Sequence, residues 1–156
     1  MSDWRSDLEQ LFAKVDARQA QEDEPRPRPE VTAFFKEVVL PAFRELTDML
    51  AQHGRTAAVS SYTEDAEHAV ATLIVSKGRA RKIEYSIRVE LYPAEVIPYA
   101  ETRAWTRMGK AYVSKSTIRP GFQPFGCHDL TKDDIQRSFV AHYTPMLWHQ
   151  LDEPPE

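Results

Sequence analysis

The stretch RKIEYSIRVELYP, from Arg81 to Pro93, alternates apolar and polar side chains with a period of two. Successive side chains of a β-strand point to opposite faces of a sheet, so this pattern is typical of a strand with one buried face. The apolar series is Ile83, Tyr85, Ile87, Val89 and Leu91. The polar series is Lys82, Glu84, Ser86, Arg88 and Glu90. The stretch therefore predicts a strand that covers a core with one face and presents charge on the other.

Four further runs near this stretch have the same period, and the segments between them are short and contain turn residues. The five predicted strands are RTAAVSSYT (55–63), EHAVATLIVS (67–76), RKIEYSIRVELY (81–92), PYAETRAWTRM (98–108) and KAYVSKSTI (110–118). Short connections make sequential strands antiparallel neighbours. The sequence thus predicts an antiparallel meander.

Two longer helical patterns frame the strands. Residues 30–54 carry a broad apolar face, and Pro41 within them predicts a kink or short break near Leu40, because proline has no N–H to donate. In the last helix, Thr131 and Asp134 are spaced like a capping box with Asp in place of Glu. The predicted fold class is α+β: two N-terminal helices, a five-stranded antiparallel meander sheet, and a C-terminal helix packed on one face of the sheet.

The N-terminal segment has helical spacing of its apolar residues and predicts a helix over about residues 3–20. Its apolar stripe is expected to meet another protein chain or a second copy through Trp4, Leu8 and Leu11. The prolines of EDEPRPRPE then favour an extended spacer. The expected organisation is an N-terminal helix and acidic segment (1–24), a proline-rich linker (25–30), a single α+β domain (31–151) and a disordered tail (152–156).

The amino-acid composition limits the classes of protein to which the chain can belong. The chain has 156 residues, 42% of them hydrophobic, which suffices for one domain with a core. Cys127 is the single cysteine and excludes an internal disulfide, and the charged N-terminus lacks the apolar run of a signal peptide. The apolar runs are far shorter than the roughly 20 residues of a membrane span. We therefore expect a cytoplasmic protein with no membrane partner.

Motifs for cofactor or metal chemistry are missing from the sequence. It contains no GxGxxG, Walker-type loop, HExxH or CxxC pattern, so neither a cofactor nor a metal is predicted. Cys127, His128 and Asp129 are adjacent, but a nucleophile and its base usually converge from separate segments. A loop cysteine beside a helix start is the simpler interpretation, and no catalytic residue is assigned.

Charge is concentrated in the middle of the chain. The formal net charge is −4, yet residues 77–119 hold ten Lys or Arg and four Glu. In a meander, the turns after the second and fourth strands lie at the same end of the sheet. A predicted partner or nucleic-acid surface therefore combines that end with the polar face: Lys77, Arg79, Arg81, Lys82, Arg88, Arg103, Trp105, Arg107 and Lys110. Cross-strand ion pairs that only solvate the sheet explain the same charges.

Three functions fit these patterns. The main hypothesis is a non-enzymatic binding protein, such as a small adaptor, regulatory subunit or inhibitor-like partner, that uses the polar sheet face and the N-terminal helix. An alternative is nucleic-acid binding through basic hairpin tips. The third is a small-ligand carrier or enzyme with a pocket between helices and sheet, at whose mouth we expect Tyr85, His142 and Tyr143.

Overall fold

The computed structural model describes residues 3–23, 29–60, 62–64, 68–77, 82–91, 97–105, 111–120 and 125–151. The helical elements of these ranges are α1 (Trp4–Asp23), α2 (Pro29–Phe34), a π-helical turn (Phe35–Val39), α3 (Leu40–Gln52) and α4 (Lys132–Leu151). The strands are β1 (Thr56–Val59), β2 (Thr63–Glu64), β3 (His68–Ser76), β4 (Ile83–Glu90), β5 (Tyr99–Trp105) and β6 (Ala111–Thr117). None of the described helices is both long and apolar enough to cross a membrane.

The strands form one antiparallel sheet in the order β1-β3-β4-β5-β6, and β2 also pairs with β3. The predicted meander and the α+β class are confirmed. The structure differs in the first strand, which it divides into β1 and β2. Between them the Ser60 hydroxyl accepts a hydrogen bond from the Thr72 backbone N–H at 3.1 Å. A side chain here replaces a backbone group of the ladder, which interrupts the strand.

The core lies on one face of the sheet, as the alternation in β4 predicts. Ile83, Tyr85, Ile87 and Val89 of β4 are all buried. Tyr85 is at the centre, with its ring edge-on to Phe43 of α3 and to Phe139 of α4 at centroid distances of 6.0 and 5.4 Å. Burying one side chain of this size contributes about 1.5–3 kcal/mol. The aromatic contacts thus fix α3 and α4 on the same side of the sheet.

Near Leu40, where the sequence predicts a kink or short break, the structure instead has a π-helical turn that precedes α3. The Leu40 N–H donates to the carbonyl of Phe35, five residues earlier, instead of four. Pro41 follows at the start of α3 and has no N–H to donate to an earlier carbonyl of the helix. The helical axis therefore continues through a proline that would otherwise break it.

The start of α4 is fixed by the predicted capping box. The Thr131 backbone N–H donates to the Asp134 carboxylate at 2.9 Å, and the Asp134 N–H donates to the Thr131 hydroxyl at 3.3 Å. Arg119, just after β6, also donates from Nε to Asp134 at 3.1 Å. One carboxylate thus caps the helix and ties it to the sheet.

Two predicted boundaries shift at the N-terminal end. The first helix runs to Asp23 instead of about residue 20. The range 25–30 assigned to the linker overlaps α2, which begins at Pro29 because proline suits the first helical turn. Residues 24–28 and the tail predicted at 152–156 lie outside the described residues.

Candidate binding site on the open sheet face

The face of the sheet opposite α2, α3 and α4 carries the polar series of β4, and we call it the open face. Cross-strand register places Ser86 of β4 between Thr72 of β3 and Glu101 of β5. The described residues that define the open face are Val70, Thr72, Glu84, Ser86, Arg88, Glu90, Tyr99, Glu101, Arg103, Val113 and Lys115.

Glu101 is the centre of this face. Its side chain is only 4% exposed, and its carboxylate meets one cation from its own strand and one from each neighbouring strand. Arg103 Nε is 2.9 Å from Oε1, while Arg88 Nη1 and Lys115 Nζ are 3.6 and 3.7 Å from Oε2. The pairing register brings all of these groups together, since Lys115 lies directly opposite Glu101. One buried carboxylate thus holds three basic side chains in place.

The pKa of Glu101 reflects two opposed effects. Burial is the largest single effect, and by itself it would raise the pKa of the carboxyl group. The hydrogen bond from Arg103, together with the charges of Lys115, Arg103 and Arg88, outweighs it, so the pKa lies below its ordinary value. Glu101 is therefore ionised at neutral pH.

A depression of about 290 Å³ lies beside Glu101. Its lining residues are Val70, Thr72, Glu84, Ser86, Arg88, Glu101 and Arg103. The hydroxyls of Thr72 and Ser86 are 2.8 Å apart, so one donates a hydrogen bond to the other. The Nε of Arg88 is buried and has no hydrogen-bond partner among the described residues. Arg88 thus lines the depression and also has a buried donor without a partner among the described residues.

The predicted surface residues fall into three groups. Arg88 and Arg103 meet at Glu101, and the half-buried Trp105 follows the same alternation at the end of β5. Lys77 and Lys82 are exposed at the end of the sheet where β3 ends and β4 begins. The remaining four lie outside the described residues: Arg79, Arg81, Arg107 and Lys110. The gathering of basic turns at one end therefore stays a prediction.

The predicted interaction helix α1 presents its apolar side chains to solvent. Trp4, Leu8 and Leu11 are 64%, 41% and 52% exposed, and Phe12 and Val15 are exposed as well. Large apolar side chains gathered on one stripe of a helix usually pack against another surface. The role of these residues in binding stays a prediction.

The residues predicted to line an interior pocket are Tyr85, His142 and Tyr143. Tyr85 is fully buried, and its hydroxyl donates to Ser138 of α4 at 2.7 Å. Tyr143 is half-buried and stacks on Phe139 with ring centroids 5.0 Å apart. The rings fill the space between α4 and the sheet, so they give no support to a ligand pocket there.

His142 uses both of its ring nitrogens within the same layer. Nδ1 is 2.7 Å from the Thr102 hydroxyl, and Nε2 is 2.6 Å from the Ser116 hydroxyl. Burial lowers the pKa of His142, because the charged imidazolium is poorly solvated there. A neutral ring can donate to one hydroxyl and accept from the other, so the histidine links α4 to β5 and β6.

The adjacent Cys127, His128 and Asp129 form a turn. Cys127 is buried, and burial together with the negative charge of Glu30 raises the pKa of its thiol to about 11. His128 and Asp129 are exposed. A thiol with so little thiolate at neutral pH is a poor nucleophile.

The described residues contain no group of three or more His, Cys, Asp or Glu side chains placed to hold a metal ion. No protein-family model, curated protein or solved structure matches the chain.

Alternation places Glu101 on the polar sheet face, but the predicted binding residues include neither Glu101 nor Lys115. Glu101 alternates with other polar residues, which is an available signal, whereas Lys115 alternates with Ala111 and Val113, which give none. Their meeting depends on the β5–β6 register, which places Lys115 opposite Glu101. A shift of one residue would have moved either side chain to the other face of the sheet.

Proposed function

We propose that the chain is a non-enzymatic binding protein, of the adaptor, regulatory-subunit or inhibitor-like kind, that engages a partner protein through the open face and α1. The observation that carries this proposal is the depression beside Glu101, where the buried Nε of Arg88 has no acceptor among the described residues. A cytoplasmic location belongs to the same proposal, supported by a single cysteine.

The chemistry of the depression favours a side-chain oxygen as the group that enters. Arg88 offers an unused N–H, and a hydrogen bond from a charged donor is stronger than one between neutral groups. The space of about 290 Å³ is at the lower end of ligand pockets, which suits one protruding side chain better than a large cofactor. We therefore propose that the partner inserts a carboxylate or amide side chain.

The charge pattern favours a protein over a nucleic acid as the partner of this face. Among the described residues that define it, the cations Arg88, Arg103 and Lys115 are interspersed with the carboxylates Glu84, Glu90 and Glu101. A phosphate backbone binds best to a surface of one sign, because affinity grows with the number of phosphates neutralised. A mixed face instead complements a partner with alternating charges, and such complementarity gives specificity.

The proposal can be tested by selecting a random-peptide display library on the purified chain. We expect the selected peptides to be enriched in Asp, Glu, Asn or Gln. Arg88→Gln should weaken their binding at least tenfold in fluorescence polarisation. Arg137→Gln is the matched control, since Arg137 is an exposed arginine on α4 and should leave binding unchanged.

A second variant separates loss of binding from loss of fold. Thr72→Arg would fill the depression without removing a partner of Glu101, and it should also abolish peptide binding. Equal binding by all variants would contradict the proposal. So would tighter binding of a single-stranded oligonucleotide whose affinity falls steeply with salt.

A further inference from the structure

The apolar stripe of α1 has the spacing of a short coiled-coil seam. Trp4, Leu8, Leu11 and Val15 are separated by four, three and four residues, which is the alternation of core positions in a heptad. All four are at least 41% exposed in the single chain. All four lie in the first 12 residues of the 20-residue helix, so they form one continuous row about 17 Å long.

We infer that the occupant of this stripe is α1 of a second copy of the chain, packed antiparallel about a twofold axis. This inference rests on the proposed binding role of α1 and names its partner. In the antiparallel alignment that uses all four core residues, Trp4 faces Val15 and Leu8 faces Leu11 of the other copy. Each contact then occurs twice, as a twofold interface requires.

The charges that flank the seam select this arrangement. Asp7 and Lys14 occupy the same flanking position in successive heptads. An antiparallel pair places Asp7 of each copy beside Lys14 of the other, which gives two opposite-charge pairs. The helix thus carries both members of the charge pair. A second copy can therefore supply the opposite charge for Asp7 and for Lys14 without any other protein.

The parallel arrangement lacks this complementarity. It would place Asp7 beside Phe12 and Lys14 beside Gln19 of the other copy, so neither charge would meet its opposite. It would also place Arg18 at a core position against Arg18 of the second copy. Like charges at a shared core position oppose association. The sequence of α1 therefore specifies the direction of the pair as well as its partner.

The test is sedimentation equilibrium of the full chain and of three charge variants. We expect the wild-type protein to dimerise with a Kd of about 10–100 µM, as suits a seam of two heptads. Asp7→Lys or Lys14→Asp alone should weaken dimerisation about tenfold, because each replaces two attractive pairs with two repulsive ones. The double variant Asp7→Lys/Lys14→Asp exchanges the charges and should restore the wild-type Kd within about threefold.

The restoration is specific to the antiparallel pair. A parallel dimer, or docking of α1 on another part of the same chain, would not give weakening by each single change and recovery by both. Leu8→Lys/Leu11→Lys should leave a monomer with unchanged urea unfolding, since both side chains are exposed.

A wild-type chain that stays monomeric at about 500 µM, well above the expected Kd, would overturn the inference. So would a double variant as weak as the single ones. Neither result would touch the open face, whose peptide binding is measured separately with Arg88→Gln.

Discussion

The side chain of Glu101 is almost fully buried, yet it remains charged because three basic side chains surround it. A carboxylate in such a place would normally be disfavoured by desolvation. Here each cation comes from a different strand, so the ion pairs also lock β4, β5 and β6 in register. The residue thus connects the stability of the sheet with the shape of the depression.

We predict that Glu101→Gln lowers the free energy of unfolding by about 1–2 kcal/mol at pH 7, because the three cations lose their shared partner. Glu84→Gln on the same face is the control and should change it by less than about 0.5 kcal/mol. Urea unfolding followed by circular dichroism measures both. Equal effects would contradict the central role of Glu101.

The pH dependence of the same residue follows from its lowered pKa. The stability that Glu101 contributes is fully present above the ordinary glutamate pKa of 4.5 and is lost as pH falls through the lower folded value. The unfolding midpoint of the wild type should therefore fall in that acidic range more steeply than that of Glu101→Gln.

His142 contributes to stability in a different pH range. Burial lowers its pKa in the folded state, so the unfolded chain binds more protons just below the ordinary value of 6.5. Stability is fully present above that value and decreases as pH falls toward the folded pKa. Its ring also satisfies the hydroxyls of Thr102 and Ser116, which are its contacts with the sheet.

We predict that the wild type is less stable at pH 5.5 than at pH 7.5, and that His142→Gln reduces this difference. The variant should also lose about 1–3 kcal/mol at pH 7.5, because a buried hydrogen-bond pair is disturbed. Urea midpoints at the two pH values test the stability, and an NMR titration of the imidazole tests the cause. Titration of His142 at or above pH 6.5 would refute the explanation.

At the scale of the element, α4 depends on a single capping carboxylate. Asp134 accepts from Thr131 as a helix cap and from Arg119 as an ion pair. The hydrogen bond from Arg119 is the main cause of its lowered pKa. Asp133, one residue earlier, makes an exposed ion pair with Arg137 along the helix.

We predict that Asp134→Ala lowers the free energy of unfolding by about 2 kcal/mol, the sum of a lost cap and a partly buried ion pair. Asp133→Ala is the matched control, and we expect a loss below about 0.5 kcal/mol. Thermal and urea unfolding provide the comparison. A larger effect at Asp133 would mean that general helix charge, not the cap, stabilises α4.

The elements differ in how well the sequence predicts them, and the reason is physical. The strand β4 and the capping box depend on residues close in sequence, so their patterns can be recognised in the sequence itself. The π-helical turn follows from Pro41, since a missing N–H acts locally. The division of the first strand depends on Ser60 reaching Thr72 across the sheet, a contact that requires the register to be known.

The candidate site was predictable only in part for the same reason. Alternation identifies Arg88 and Arg103 as neighbours on one face. The meeting of Glu101 and Lys115 depends on the β5–β6 register, and the unused Nε of Arg88 depends on side-chain packing. Sequence periodicity specifies faces of elements, whereas a site is specified by contacts between them.

At the scale of the whole molecule, one core joins the sheet to α2, α3 and α4, and Cys127 is part of it. The thiol pKa of about 11 results mainly from this burial. Because the chain has one cysteine, its reactivity reports on the opening of the core.

We predict that the native protein reacts with a disulfide reagent at pH 8 at least about a hundredfold more slowly than the urea-unfolded chain, since its thiolate fraction is that much smaller. Absorbance of the released thiol follows the reaction. Substitutions that destabilise the core should accelerate it, and Arg137→Gln should not. Rapid reaction of the native thiol would instead indicate an accessible, activated cysteine.

The core lies on one side of the sheet, so the side chains of each central strand divide into a set that packs in the core and a set on the open face. Replacing Thr72, Ser86 or Val113 leaves the aromatic layer around Tyr85 untouched. A library randomised at such positions should contain many folded variants that differ in the side chains of the open face. Substitutions at such positions can therefore change the chemistry of the open face while the aromatic layer that holds α3 and α4 on the sheet is kept.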